Sequence, residues 1–312
     1  MKIAIVGPGI MPIPPTGWGA VEILIWDYKE TLEKLGHEVL IVNTPNQHDI
    51  INQCNNFNPD FVHIQYDPFW VISDRLNCHN VAITSHFGYL DQETKFHAGY
   101  MSIFNGFLGM KNAKIFALSE SIKQQYTKHG FDENRVTVIP NGVRNDLFKF
   151  NKECEKPTDS VYLAKVDYRK RQHLFQNIPN LYFAGNIADH KYNKNNYLGE
   201  WSKDHLYENL TSFANLVLLS DGEAHPLVCL EAMSAGLGLV ISEWATANLD
   251  TSLPFIDVIP ENKINDIEFV TSVIEDNKKN CVGMREEIRQ YVLDNFSWET
   301  IINDFYLPAI EK

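Results

Sequence analysis

The sequence predicts an α/β protein made of two doubly wound, parallel-sheet domains facing a cleft. Strand and helix patterns alternate twice along the 312 residues, once up to the neighbourhood of residue 150 and again from residue 161. A polar stretch at 151–160 separates the two runs and reads as a linker. Residues with chemical character gather just behind apolar strand patterns, at the carboxyl ends where ligands of such sheets bind.

The first run opens with a strand at 2–6, a Pro- and Gly-rich loop at 8–19 and a helix at 20–35. That helix has its apolar positions at Val21, Leu24, Ile25, Tyr28, Leu32 and Leu35. Gly36 ends it as a C-terminal cap glycine does, and a strand resumes at 37–42. A strand–helix–strand opening calls for parallel strands with right-handed crossovers. Strands follow at 61–65, 81–85 and 115–118, then a helix at 122–128 with Ser119 as N-cap, and a strand at 136–139 before Pro140, Asn141 and Gly142. The second run has strands at 161–166, 181–184 and 216–219, a helix at 226–235, strands at 239–242 and 255–258, and helices at 264–275 and 282–295.

Lys plus Arg number 27 against 40 for Asp plus Glu, a net charge of −13, which disfavours broad binding to nucleic acid or anionic lipid. The cysteines, Cys54, Cys78, Cys154, Cys229 and Cys281, form no C-x-x-C pair and read as free thiols of a reducing compartment. No apolar run is long enough to span a bilayer, and 3–6 is too brief for a signal-peptide core. A cytoplasmic protein is expected, with room for peripheral contact with a membrane surface.

The densest chemistry lies at 216–236. An apolar strand gives way to Ser220, Asp221 and Glu223, and a helix follows with Pro226 in its first turn, where a missing N–H is harmless. Glu223 then falls in the loop at the sheet's carboxyl edge. Glu231 falls between one and two turns into the helix, and the N-terminal amides beside both favour an anion. On spacing alone two readings stand. Glu223 either neutralises the helix dipole or contacts a ligand; Glu231 is either solvated or, among Leu230, Met233 and Gly236, in need of a partner.

The segment 161–173, VYLAKVDYRKRQH, carries Lys165, Arg169, Lys170 and Arg171 into a loop. Such a run is either a solvated basic turn or a clamp for a diphosphate, and its place at a strand end favours the clamp. In the first loop, Gly17 and Gly19 serve either a turn or a close backbone approach to a ligand. Pro12 stands where a dinucleotide fingerprint needs glycine or alanine, and no Gly-Lys-Ser/Thr follows, so nicotinamide-dehydrogenase and P-loop readings fail. His63 and His86 end strands, and His86 leads into a Gly- and aromatic-containing loop. Asp67 and Asp91 lie near enough to serve as acceptor contacts. No His/Asp/Glu set has metal-ligand spacing, and Ser119 and Ser220 lack a nucleophile elbow.

Together these segments resemble the retaining glycosyltransferases of family 4, which have the GT-B fold of two Rossmann-like domains. PPTGWGAVE at 14–22 is similar to the family's proline-rich first loop, with LGHEV at 35–39 at the usual distance; IPNGV at 139–143 matches its strand-end motif. LAKVDYRKR resembles the phosphate loop, EAHPLVCLEAMSAG at 223–236 the Glu-seven-Glu motif, and FSW at 296–298 the start of the closing helix. The resemblance implies an acceptor-side domain at 1–148, a nucleotide-sugar domain at 149–295, and a helix at 296–312 crossing back to the first. It implies that Glu231 holds the donor ribose and that Glu223 lies near the donor sugar. The amides of Leu227 and Val228 would touch the sugar or the phosphate. Lys165 and Lys170, with Arg169, would sit on the diphosphate, Gly17 and Gly19 in the loop approaching it, and His86 at the sugar.

The implied reaction transfers a sugar, with retention, from a nucleoside-diphosphate sugar to a hydroxyl of a glycan, lipid-linked or small acceptor. It needs no cofactor, no bound metal and no nucleic acid. The alternatives are an inactive nucleotide-sugar-binding protein or another GT-B enzyme such as a sugar-nucleotide epimerase. The chain differs from the family at Ala20, Ala164 and Arg171, where glycine is usual, at Lys165 for arginine and at Arg144 for aspartate. The stretch from Arg171 to Leu181 is short, and SEWATANLD replaces a Gly-Gly-x-x-Glu turn.

Overall fold

The computed structural model describes residues 1–311 other than 18, 97, 98 and 194. The chain divides into two compact units, Met1–Gly142 with Trp298–Lys312, and Val143–Ser297.

The first unit holds strands β1 (Lys2–Val6), β2 (Glu38–Val42), β3 (Phe61–Ile64), β4 (Val81–Ile83), β5 (Lys114–Ala117) and β6 (Val136–Val138) in the order β2-β1-β3-β4-β5-β6. Every pairing is parallel, as the strand–helix alternation requires. Up to Gly142 the helices are α1 (Ala20–Lys34), α2 (Gln47–Phe57), α3 (Tyr100–Leu108) and α4 (Glu120–Lys128), and the Ser119 hydroxyl caps α4 by accepting the Ile122 N–H at 3.3 Å. Helices α2 and α3 were not expected. In α2 only Ile50 and Cys54 are buried, too few to print a period, and the helix is secured by Asn46, whose side chain accepts the N–H groups of His48 and Asp49.

The closing turns of the chain pack into this unit. Trp298 Nε1 donates to Asp27 at 3.1 Å, and the rings of Tyr28 and Tyr306 lie against His63 with centroids 5.5 Å away in each case. His63 itself is fully buried.

The second unit holds β7 (Lys156–Leu163), β8 (Leu181–Ala184), β9 (Tyr197–Gly199), β10 (Phe213–Leu218), β11 (Gly238–Ser242) and β12 (Ile256–Ile259). Their order is β12-β11-β10-β7-β8-β9, and all pairings are parallel. Counted within the unit this is the doubly wound order 3-2-1-4-5-6, with its topological switch between β7 and β10. Helices α5 (Gln172–Phe175), α6 (Lys203–Asn209), α7 (Leu227–Ser234), α8 (Ile267–Cys281) and α9 (Arg285–Phe296) connect and cover the sheet. The expected linker is corrected here: β7 begins at Lys156, because its exposed polar first half continues into the buried Val161 and Tyr162. Strand β9 and helix α6 were likewise unforeseen. Among the described residues no helix is long and apolar enough to cross a membrane.

One buried hydroxyl ties this sheet to the loop that follows it. Tyr162 is 0 % exposed; its Oη accepts the N–H of Leu219 at 2.9 Å and donates to the carbonyl of Lys170. Removing the hydroxyl leaves two backbone groups without that partner. Tyr162→Phe is therefore expected to lower stability by about 1–3 kcal/mol in urea unfolding, and a loss near zero would show that the tether carries no weight. In the first unit, burial pushes His63 down to about 3, below the ordinary 6.5 of the unfolded chain. A depressed histidine contributes stability that is complete above pH 6.5 and lost as pH falls toward the folded value. At pH 5 the loss is about 2 kcal/mol. His63→Gln should flatten the stability–pH slope between pH 7 and 5 by that amount, and an unchanged slope would refute the assignment.

Candidate functional site

The carboxyl ends of β7 and β10 are neighbours at the switch point, and the two loops leaving them carry the charged residues singled out above. The loop after β7 is held from several directions. Asp167 Oδ1 accepts the N–H groups of Arg169 and Lys170, each at 3.1 Å. Gln172 donates to the Lys165 carbonyl at 2.9 Å, the Asp221 N–H donates to the Arg169 carbonyl at 2.9 Å, and Tyr162 holds Lys170.

With its backbone so fixed, the loop sorts its four cations. Lys165 is exposed at the strand end. Arg169 Nε lies 3.7 Å from Asp167 Oδ2. Lys170 Nζ meets Glu223 Oε1 directly, with both side chains mostly buried. Arg171 departs from the expected clamp: its guanidinium forms a two-pronged pair with Glu261, at 3.0 and 2.5 Å. Its backbone has φ 58, in the left-handed region that disfavours most residues other than glycine.

Beyond β10, Glu223 lies in the loop before α7. Pro226 stands at the N-cap with extended backbone (φ −74, ψ 109), one position earlier than its expected place in the first turn. The amides of Leu227 and Val228 open the helix, where no carbonyl four residues back is available within it. Cys229 N–H is already engaged by the Pro226 carbonyl at 3.2 Å. Glu231, a turn further on, is flanked by Leu230, Ala232 and Met233, each 0 % exposed. Its partner is Lys203 Nζ, 2.8 Å from Oε1. Lys203 escaped the sequence reading because it starts a seven-residue helix without a readable period, 28 positions away. No local signal could have found it.

The remaining candidates belong to the first unit. His86 Nε2 lies 2.8 Å from Gln65 Oε1, Gln65 Nε2 3.2 Å from His63 Nδ1, and His63 Nε2 2.8 Å from Thr84 Oγ1. With the Gln65 amide oriented this way, it donates to His63, His63 donates to Thr84, and His86 donates through Nε2, which leaves its Nδ1 as an acceptor. Burial pushes His86 down to about 4, keeping the ring neutral near pH 7. Asp67 Oδ2 accepts from the hydroxyls of Ser85 at 2.7 Å and Tyr100 at 3.1 Å, and burial raises its pKa; burial raises that of Asp91 as well. In the first loop Gly19 has φ 136, which calls for glycine, whereas a Cβ on Gly17 would meet nothing within 4 Å. Trp18 between them lies outside the described residues. Among the described residues no group of three or more His, Cys, Asp or Glu side chains is placed to hold a metal ion.

Comparison with known proteins bears on the fold and on the family the chain resembles. Residues 43–147 match the family described as Glycosyltransferase Family 4. No curated protein matches the sequence. Among solved structures, a sucrose-phosphate synthase from Thermosynechococcus elongatus is similar over 96 % of this chain and 96 % of its own, at 15 % identity and a TM-score of 0.75. HepE of Anabaena, in complex with UDP-glucose, is similar over 100 % and 98 %, at 14 % identity and a TM-score of 0.73. WaaB, a lipopolysaccharide outer core galactosyltransferase in its apo form, is similar over 100 % and 99 %, at 18 % identity and a TM-score of 0.69. At such identities the likeness to these structures is one of fold. With the two Rossmann-like sheets, these matches identify the chain as one with the GT-B fold, whose segment 43–147 is similar to glycosyltransferase family 4.

Proposed function

We propose that this protein is a retaining glycosyltransferase that moves a sugar from a nucleoside-diphosphate sugar to a hydroxyl of a glycan, lipid-linked or small acceptor. The second unit takes the donor and the first the acceptor. The observation that carries the reading is the Lys170–Glu223 contact at the switch point, in the loop that leads into α7, whose opening amides come one turn before Glu231. That arrangement offers cations and N–H groups to phosphate oxygens, and a carboxylate to hydroxyls. The UDP-glucose complex of the structurally similar HepE supports a donor of this class.

In this reading Lys170, Lys165 and Arg169 draw charge off the departing diphosphate, and the amides of Leu227 and Val228 meet a phosphate oxygen or a sugar hydroxyl. Lys170 exchanges a carboxylate partner for a phosphate one when the donor binds, which frees Glu223 toward the sugar. Glu231 takes the ribose hydroxyls. Gly19 lets the first loop's backbone come close to the phosphate, while Gly17 serves the turn. His86, neutral, accepts a hydrogen bond from a sugar hydroxyl at Nδ1. In the transfer step the anomeric carbon–phosphate oxygen bond breaks as the acceptor oxygen bonds the same face of that carbon. The acceptor's proton passes to the leaving phosphate. Such a step needs no flanking pair of carboxyl groups of the kind that glycosidases use, in keeping with Glu223 and Glu231 each being held by a lysine.

The test is a donor screen read by mass spectrometry that scores transfer, slow donor hydrolysis and interconversion of free donors. A panel of nucleoside diphosphates in thermal shift, where a ligand specific to the native state raises its stability, narrows the base beforehand. Glu231→Gln is expected to weaken donor binding about tenfold or more, and Lys170→Ala to lower turnover by at least about tenfold. Full activity in both variants would sink the proposal. Binding without transfer or hydrolysis would favour an inactive nucleotide-sugar-binding protein.

A further inference from the structure

The donor-site reading leaves one close contact without a purpose. Lys203 is the first residue of α6, the crossover that brings the chain from the edge strand β9 back to β10, and Ser202 caps that helix by accepting the His205 N–H at 3.2 Å. Its ammonium lies 2.8 Å from Glu231 Oε1 and 5.9 Å from the centroid of the Tyr207 ring. The two side chains are 26 % and 13 % exposed, so the pair is neither a solvated surface bridge nor a sealed one.

A glutamate on a helix has three rotatable side-chain bonds and, unheld, samples several directions. A lysine that fixes one carboxylate oxygen removes most of that freedom and leaves the carboxylate with lone pairs for other donors. Two adjacent hydroxyls are the ligand such a preset carboxylate suits best, because both can donate to one group without rearranging it. A sugar with a single hydroxyl at that place gains only part of this.

We propose that Lys203 is a specificity-determining residue of the donor site: by holding Glu231 it presets the carboxylate for the vicinal diol of a ribose and makes the site select ribonucleotides over 2′-deoxyribonucleotides. This rests on the reading that Glu231 meets the ribose. Lys203 acts through Glu231 and is a positioning residue.

The experiment is calorimetric titration of the whole chain with UDP, ADP and GDP and with their 2′-deoxy counterparts, for the wild type, Lys203→Met, Lys203→Arg and Glu231→Gln. The wild type is expected to bind the ribo form of its preferred nucleotide about tenfold or more tightly than the deoxy form. Both Lys203→Met and Glu231→Gln should bring that ratio close to one, and Lys203→Arg should restore much of it. A ratio that collapses in Glu231→Gln but survives in Lys203→Met overturns the role of Lys203 and leaves that of Glu231 intact. Equal collapse in the Met and Arg variants also overturns it, since a loss of packing alone would have that result. No ribo preference in the wild type, a preference that survives Glu231→Gln, or no binding of any of the six nucleotides overturns the ribose reading itself.

Discussion

The contact between Lys170 and Glu223 joins two loops 53 residues apart, and it forms because β7 and β10 lie side by side in parallel. Val161 pairs with Leu216, which sets the two strand ends level and sends both loops out at the same edge. Alternation along β7 then turns Tyr162 inward, where its hydroxyl reaches both Leu219 and Lys170. A slip of one residue would turn Tyr162 to the opposite face of the sheet and release the loop. Strand register, a property of the apolar core, thus decides where the ammonium of Lys170 stands.

Around that contact the unit distributes charge in pairs. Both carboxylates of the α7 region are held by lysines that come from different connections, Lys170 from the loop after β7 and Lys203 from the crossover helix. Arg171, the fourth cation of the basic run, is drawn off to Glu261 by a two-pronged pair that offsets its left-handed backbone. In a chain of net charge −13 the cations of this edge are therefore few and positioned, so that the local field is set by geometry rather than by the surface as a whole.

The sequence disclosed what local pattern can encode. The strands Lys2–Val6 and Leu181–Ala184 follow from unbroken apolar runs, and the N-cap at Ser119 from its place before a helical period. Glu223 and the basic run stood out because they follow strands, and Glu231 because it sits in a helix among apolar neighbours. What stayed hidden is nonlocal or too short. Helix α6 has seven residues and β9 three, and neither prints a period. The first half of β7 is polar and reads as linker until its pairing with β10 is known. The partners of the carboxylates could not be named, since which lysine reaches which glutamate depends on crossovers rather than on spacing. The Gln65–His63 chain that sets the tautomer of His86 was hidden for a similar reason, its members being spread over two adjacent strands and their ends.

Strand packing also bears on the loop at 163–171, which departs from the residues usual in the family it resembles. Ala164 stands where the family has glycine, and close approach of backbone at this point is achieved from the neighbouring strand instead. Gly185, just beyond β8, has φ 141, and a Cβ there would lie 2.0 Å from the Ala164 carbonyl oxygen. Glycine at 185 is therefore what lets the two strand ends pack this closely, since any side chain there would collide with the Ala164 carbonyl. Lysine at 165 keeps a positive charge without the planar fork of arginine, and it is exposed at the strand end. Lys170 is the better fixed of the two, because Tyr162 and Asp167 tether its backbone.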